Sequence, residues 1–302
     1  MALSKKLVLN DVVRFRFFST LVLSILSILA ILPIILIVIA SISDEQVLIS
    51  TGYTYFPSKF SLDSYYYMVK QSAMILRAYG ITVLVTIVGT LTSVLLTTML
   101  AYPMSRRDFK YRNVLAFFVF FTMLFNGGIV ASYIMWSRFF DIKNTIWALI
   151  VPNYLVTAFN VFLVRNYFTN GVPFELIEAA QIDGAGEFTI FFKIMVPLAI
   201  PVVATISLFT SLIYWNDWVN GLYYITDPSF FGIQNLLIRI MNNIQFLKVS
   251  TNLAMLGTQN IDLPGTSVRM AMAVIGILPM VIIFPFIQKY FIKGVVLGAI
   301  KG

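Results

Sequence analysis

FFSTLVLSILSILAILPIILIVIASI, residues 17–42, is an apolar run with no charged side chain. As a helix rising about 1.5 Å per residue, it exceeds the roughly 30 Å hydrocarbon core of a bilayer. Lys5, Lys6, Arg14 and Arg16 precede it. Ser41 and Ser43 flank Ile42 at the spacing of a leader cleavage site. The apolar part of a leader is only about 7–15 residues long, so a retained membrane helix is expected instead. Pro33 predicts a kink within it.

The rest of the 302-residue chain carries the same signature. Hydrophobic residues make up 59% and charged residues 11%, and the mean hydropathy is +0.89. That leaves too little polar surface to cover a soluble globule of this size, and lipid is the solvent that accommodates the excess. The chain has no histidine and no cysteine. Imidazole bases, disulfides, thiolate nucleophiles and His- or Cys-ligated metals are therefore excluded, and neither a catalytic residue nor a metal ligand set is expected. The net charge of +8 fits basic flanks beside membrane spans, so nucleic acid is not an expected partner.

Five further spans are predicted near residues 74–102, 114–136, 146–164, 198–215 and 270–289. The third carries Asn126-Gly127-Gly128, the fourth Pro152-Asn153, the fifth Pro201 and the sixth Pro279 and Pro285. An even number of spans puts both termini on one side. On that side the N-terminal segment, the 105–113 loop, the fourth-to-fifth connection and the C-terminus hold thirteen Lys and Arg residues, against eight in the opposite loops. The positive-inside bias makes the thirteen-residue side cytoplasmic, in a membrane crossed several times. Residues 1–16 then form a cytoplasmic segment and 17–302 the membrane domain. Two outer loops are long. Residues 43–73 are Tyr-rich, and 217–269 carry Asn235, Asn242, Asn243, Asn252, Gln259 and Asn260.

One cytoplasmic connection, NGVPFELIEAAQIDGAGEFTIFFKIMVP at 170–197, is more than a turn. Pro173 suits a first helical turn, and Glu175 and Glu178 follow where the helix dipole favours anions. Gly184 and Gly186 are expected to end that helix in the left-handed conformation. Phe188, Phe191, Phe192 and Met195 recur at i, i+3, i+4 and i+7, one apolar stripe of a second helix that holds the elbow to its own spans. Ala179-Ala180 leaves room for close approach of another surface.

The order Glu178-Ala179-Ala180, three residues, Gly184, nine residues, Ile194, one residue, Val196-Pro197 resembles the EAA loop of ABC-importer permeases. Val196 stands where that family usually has Leu. The string ELIEAAQIDGAGEFTIFFKIMVPLAIP is similar to the sugar-importer branch, that of the maltose-type second permease. PMSRRDFKYRN, FNGGIVASYIMW, YWNDWVNGLYYI and FPFIQKYFIKGVVLGAIKG resemble permeases for oligosaccharides derived from polysaccharides, with Ala131 where relatives often carry Pro. The resemblance implies an all-α integral membrane protein of six transmembrane helices with a cytoplasmic coupling-helix elbow, the type I importer permease fold. It further implies half of a heterodimeric pathway with a second permease subunit, two ABC ATPase subunits inside and a solute-binding protein outside. ATP and Mg are then expected in the ATPase subunits and no cofactor in this chain, which lacks a G-x-x-x-x-G-K-[ST] pattern.

By the same resemblance Glu178, Ala179, Ala180, Asp183 and Gly184 are the ATPase-coupling candidates. For an oligosaccharide, aromatic faces and amides are the fitting chemistry. Tyr214, Trp215, Asn216 and Asp217 supply both, with Asn126, Tyr133 and Asn153 in other spans. The Trp and Tyr residues also suit a membrane interface, whatever passes. The alternatives are a permease for a non-sugar solute such as a lipid precursor or peptide, a secondary transporter, and an intramembrane enzyme. The last two need buried ionisable groups or a base, and the spans are nearly free of charge.

Overall fold

The computed structural model describes residues 2–70, 72–254 and 265–299; Gln259, Asn260 and Lys301 lie outside them. Apart from one isolated bridge between Ser43 and Phe60, every regular element among the described residues is helical. In chain order they are α1 (Ala2–Ser41), α2 (Glu45–Thr51), α3 (Asp63–Lys70), α4 (Ser72–Ser105), α5 (Arg112–Leu124) and α6 (Gly128–Ile134). Next come α7 (Trp147–Ile150), α8 (Ala158–Gly171), α9 (Phe174–Ile182), α10 (Glu187–Ile190), α11 (Val196–Leu198) and α12 (Ile200–Trp215). The last are α13 (Val219–Tyr224), α14 (Ile233–Ala254) and α15 (Thr266–Ala299).

The helices that can cross a membrane are of two kinds. Val12–Ser41, Ser72–Ser105 and Thr266–Ile283 are long and apolar enough by themselves. Two more segments qualify only as bent pairs. Arg112–Leu124 and Gly128–Phe139 meet at 114°, and Glu187–Leu198 and Ile200–Trp215 at 81°. The fourth expected span is divided as well: four-residue α7 is followed by a break, with Asn153 at a φ of +69°, before α8 begins. The breaks fall at Asn126-Gly127-Gly128, Pro152-Asn153 and Ala199-Pro201. Gly and Pro interrupt the helical ladder there, and the freed backbone groups require other partners. Gly128 N–H donates to Asn126 Oδ1 at 2.8 Å and Asn220 Nδ2 to the Pro152 carbonyl at 3.0 Å. Much of the expected 217–269 loop is helical, as α13 and α14, and Asn235 is buried.

The chain divides into two compact units. In the first, α1 runs unbroken through Pro33, and the apolar side chains between residues 12 and 35 mostly face outward. A lipid-facing helix needs this pattern, since acyl chains solvate it as well as a core would. After it, Asp44 N–H donates to the Lys59 carbonyl at 3.1 Å, and the Lys59 ammonium lies 2.6 Å from the Asp44 carboxylate. That partner holds the Asp44 carboxyl below its ordinary range and the Lys59 ammonium above its own. The Glu45 carboxylate accepts from Thr266 N, Ser267 N and Ser267 Oγ at 2.6–2.8 Å. It thus closes the positive end of α15.

The second unit is organised along α4. Its buried residues Ala78, Thr82, Val85, Gly89, Ser93, Thr97, Ala101 and Met104 recur every three or four positions, one face of the helix. A Cβ at Gly89 would lie 2.6 Å from the Tyr214 ring, so only glycine allows that crossing. Near the C-terminal end of α4, Ala101, Tyr102 and Met104 join Val161, Val164 and Phe168 of α8 in one core with Ile177, Ala180, Ile190, Phe191 and Met195. This core seats the 170–197 segment.

Candidate functional site

The elbow is built from that core outward. Val172 is buried and Pro173 stands immediately before α9, with Glu175 in the first turn. Ile177 and Ala180, three apart, point into the core. Glu175, Leu176, Glu178, Ala179, Ile182 and Asp183 are exposed, and Ile182 is 86% exposed. The sequence-predicted coupling set is therefore split. Glu178, Ala179, Asp183 and Gly184 share the outer surface, whereas Ala180 serves the interior. Ile182, not singled out in the sequence, is the most exposed apolar side chain of α9. Its signal was its position as the last residue of α9, where the inward face has already turned away.

The end of α9 is set by hydrogen bonding. Gly184 N–H donates to the Gln181 carbonyl at 3.0 Å, and Ala185 N–H to the Ala180 carbonyl at 2.9 Å. With Gly184 at a φ of +78°, this is a Schellman motif. Gly186 departs from expectation: its φ is −73° with ψ 160°, an extended residue ahead of α10. One left-handed residue suffices to turn the chain, so the second glycine has no such task. The expected stripe is likewise divided. Phe191 and Met195 are buried, but Phe188 is 73% exposed and Phe192 is also exposed. A π-turn at 191–195 adds a residue to the turn and breaks the simple helical register.

A polar cluster ties the elbow to the corner after α4. Arg106 is 4% exposed, and its Nε and Nη2 donate to the two carboxylate oxygens of Asp108 at 2.9 and 2.7 Å. Nη2 also donates to Glu187 Oε1 at 3.3 Å, the Tyr102 hydroxyl donates to Glu187 Oε2, and Gln181 Nε2 lies 3.4 Å from Glu187 Oε1. The Arg106 guanidinium holds the Asp108 carboxyl below the usual carboxylate range. Arg106 and Glu187 were not legible as a pair, being far apart in sequence. A groove of about 400 Å³ lies beside them, walled by Met99, Pro103, Phe109, Phe188 and Phe191.

A second cluster lies nearer the N-terminal half of α4. Tyr154 OH donates to Asp217 Oδ1 at 3.2 Å, and the same oxygen accepts from Val219 N and Asn220 N at 3.0 and 3.1 Å. Asn153 Nδ2 donates to Asn220 Oδ1 at 3.2 Å. Burial pushes the Asp217 carboxyl up to about 6, against these hydrogen bonds. Of the sequence-predicted pathway residues, Tyr214 and Trp215 are 2% and 3% exposed. Tyr214 donates to the Ile150 carbonyl at 2.8 Å, and the Trp215 ring lies 6.3 Å from that of Tyr79. Asn126, Asn153 and Asn216 are exposed, and Tyr133 stacks on Tyr224 at 5.9 Å. The structure thus joins Tyr214, Asn153 and Asp217 to one packed cluster around the broken fourth segment. Asn126 stands at the bend of the third, and Tyr133 lies beyond it near the end of α6.

Broken apolar helices beside one long helix, with an elbow presenting an exposed face, define a membrane protein that is helical throughout its described residues. Residues 93–296 match the family described as binding-protein-dependent transport system inner membrane component. The chain belongs to that family. It is 36% identical to the "Polygalacturonan/rhamnogalacturonan transport system permease protein YtcP" of Bacillus subtilis (strain 168), over 87% of this chain and 90% of the relative. It is 31% identical to the "Arabinooligosaccharides transport system permease protein AraQ" of Halalkalibacterium halodurans, over 87% and 88%. Among solved structures, a bacterial ABC transporter "involved in the import of the acidic polysaccharide alginate" contains a similar chain. The TM-score is 0.75 at 26% identity, covering 92% of this chain and 96% of that one. This protein is therefore a membrane-embedded permease subunit of an ABC transport system, a transport subunit rather than an enzyme. Membership implies an ATPase and a binding protein as partners.

Proposed function

We propose that the chain forms one half of a heterodimeric translocation pathway in an ATP-driven oligosaccharide importer, with the outer face of α9 as the surface docked by an ATPase subunit. The observation that carries this reading is the division of α9. Ile177 and Ala180 lock one side into the spans, while Glu178, Ala179, Ile182 and Asp183 project from the other. A rigid, exposed apolar knob rimmed by carboxylates suits a cleft with basic walls, where charge-assisted hydrogen bonds surround a buried anchor. ATP, held with Mg²⁺, is hydrolysed in two such partner subunits. Six crossings with both termini cytoplasmic follow from the basic-residue asymmetry and from counting each broken segment as one span. The oligosaccharide is supported by the named substrates of the relatives, and a lipid precursor or peptide has no comparable support. Asn126, Tyr133, Asn153 and Asn216 are the pathway candidates that remain accessible or half-accessible. Tyr214 and Trp215 act from the core.

The test is a pair of substitutions in a complex purified with its ATPase. Ile182→Asp places a charge in the docked knob and should reduce ATPase retention about tenfold while leaving the chain inserted. Ile177→Asp, about 100° around the helix from Glu178's outward face and inside the core, should instead lower the yield of folded protein. Normal retention and normal oligosaccharide uptake with Ile182→Asp would remove the docking surface from α9.

A further inference from the structure

The elbow leaves each neighbouring span through a discontinuity: extended Val172-Pro173 after α8, and the 81° bend at Ala199 before α12. Neither joint transmits a push rigidly. The elbow's attachment to α4, the long unbroken helix of this unit, is non-covalent. Part of it is apolar, with the Phe191 ring 5.4 Å from that of Tyr102. Apolar faces resist separation but tolerate sliding, because dispersion is non-directional. The other part is directional. Glu187, the first residue of α10, accepts from the Tyr102 hydroxyl with one oxygen and from Arg106 Nη2 with the other, at 3.3 Å. Arg106 is itself fixed by the two-pronged bond to Asp108 and lies buried. Hydrogen bonds from a guanidinium held in place in this way are directional, so sliding of α10 along α4 would break them.

We propose that Tyr102, Arg106 and Glu187 form a latch that couples the elbow to α4, so that displacement of α9 by a partner moves α4 with it. They are positioning residues: none lies on the outer face of α9, and each acts through the elbow. The proposal rests on the docking reading above and adds the element that receives the motion.

The experiment uses the whole reconstituted complex and reads three quantities: ATPase subunit retention, ATP hydrolysis and solute imported per ATP hydrolysed. Tyr102→Phe and Glu187→Ala should each leave retention at the wild-type level and lower import per ATP about tenfold, within the range of ordinary coupling between sites. Because they cut the same connection, the double variant should be no more than about twofold worse than the stronger single. Glu187→Gln, whose amide oxygen still accepts from Tyr102, should fall between wild type and Glu187→Ala. If Glu187→Ala does not insert, Tyr102→Phe carries the test, since it removes one hydroxyl and keeps the ring in the core. Import per ATP within twofold of wild type in Tyr102→Phe overturns the latch, as does a double variant whose losses multiply. Absence of ATPase from the wild-type complex overturns the docking reading and the latch together. Normal wild-type docking with unaffected variants overturns the latch alone.

Discussion

Asp217 shows how one side chain changes meaning between sequence and structure. Its neighbours Trp215, Asn216 and Trp218 suggest a sugar-facing polar group. Its carboxylate instead receives Val219 N, Asn220 N and the Tyr154 hydroxyl, and so caps α13 and clamps the broken fourth segment. Burial raises its pKa from the ordinary 3.8 to about 6. The folded protein therefore holds this proton more tightly than the unfolded chain does. The resulting stabilisation is complete below the unfolded value and is lost as pH rises through about 6. Asp217→Asn cannot titrate and should lack this component. Measured in detergent at about pH 5 and about pH 7.5, the Tm of the wild type relative to Asp217→Asn should be higher at the acidic value. An identical difference at both pH values would show that Asp217 ionises as freely as in an unfolded chain. Trp215 is revised on the same grounds. Its truncation to Ala would open a core cavity costing about 3–5 kcal/mol, a loss of folding rather than of selectivity.

At the scale of an element, the elbow depends on one backbone conformation. Gly184 is at a φ of +78°, yet no heavy atom lies within 4 Å of the position a Cβ would take. A side chain there meets conformational strain alone, about 1–2 kcal/mol, and no steric clash. Gly184→Val should therefore insert normally, keep its spans, and misdirect the outer face of α9 relative to α10. A penalty of that size corresponds to a loss of ATPase retention of about tenfold. Gly186→Ala is the matched control, because Gly186 is extended and equally open. Equal retention by the two variants would mean that the left-handed turn does not orient the docking face. The same element shows a limit of periodicity. The spacing of Phe188, Phe191, Phe192 and Met195 implies one buried stripe, but a π-turn intervenes and leaves two of the four outside.

For the whole molecule, the prediction is orientation. Thirteen basic residues against eight predict, by the positive-inside bias, that both termini are cytoplasmic. The chain has no cysteine, so single cysteines report cleanly. Substituted at Lys6 or Arg107, a cysteine should resist an impermeant thiol reagent in intact cells. At Lys59 or Asn242 it should react. The reverse labelling pattern would invert the topology and place the elbow on the wrong side for a cytoplasmic ATPase.

The sequence alone determined that the chain lives in lipid, that its interior chemistry excludes imidazole and thiol groups, and that residues 170–197 form a helix-turn-helix elbow. These are properties of composition and local spacing. Apolar content decides the solvent, and Pro173 and Gly184 act within a few residues of themselves. The tertiary structure alone decided which residues of that elbow face outward, and that Ala180, Tyr214 and Trp215 are buried. It also decided that the third, fourth and fifth segments are interrupted rather than straight. Helix breakers announce themselves in sequence, but whether a membrane segment breaks at them depends on partners for the freed backbone groups. At the fourth segment the partner comes from elsewhere in the chain, where Asn220 donates to the Pro152 carbonyl across 68 positions. The pairing of Arg106 with Glu187 across 81 positions is of the same kind. Contacts between distant residues leave no local pattern, so they become legible only once the helices have packed.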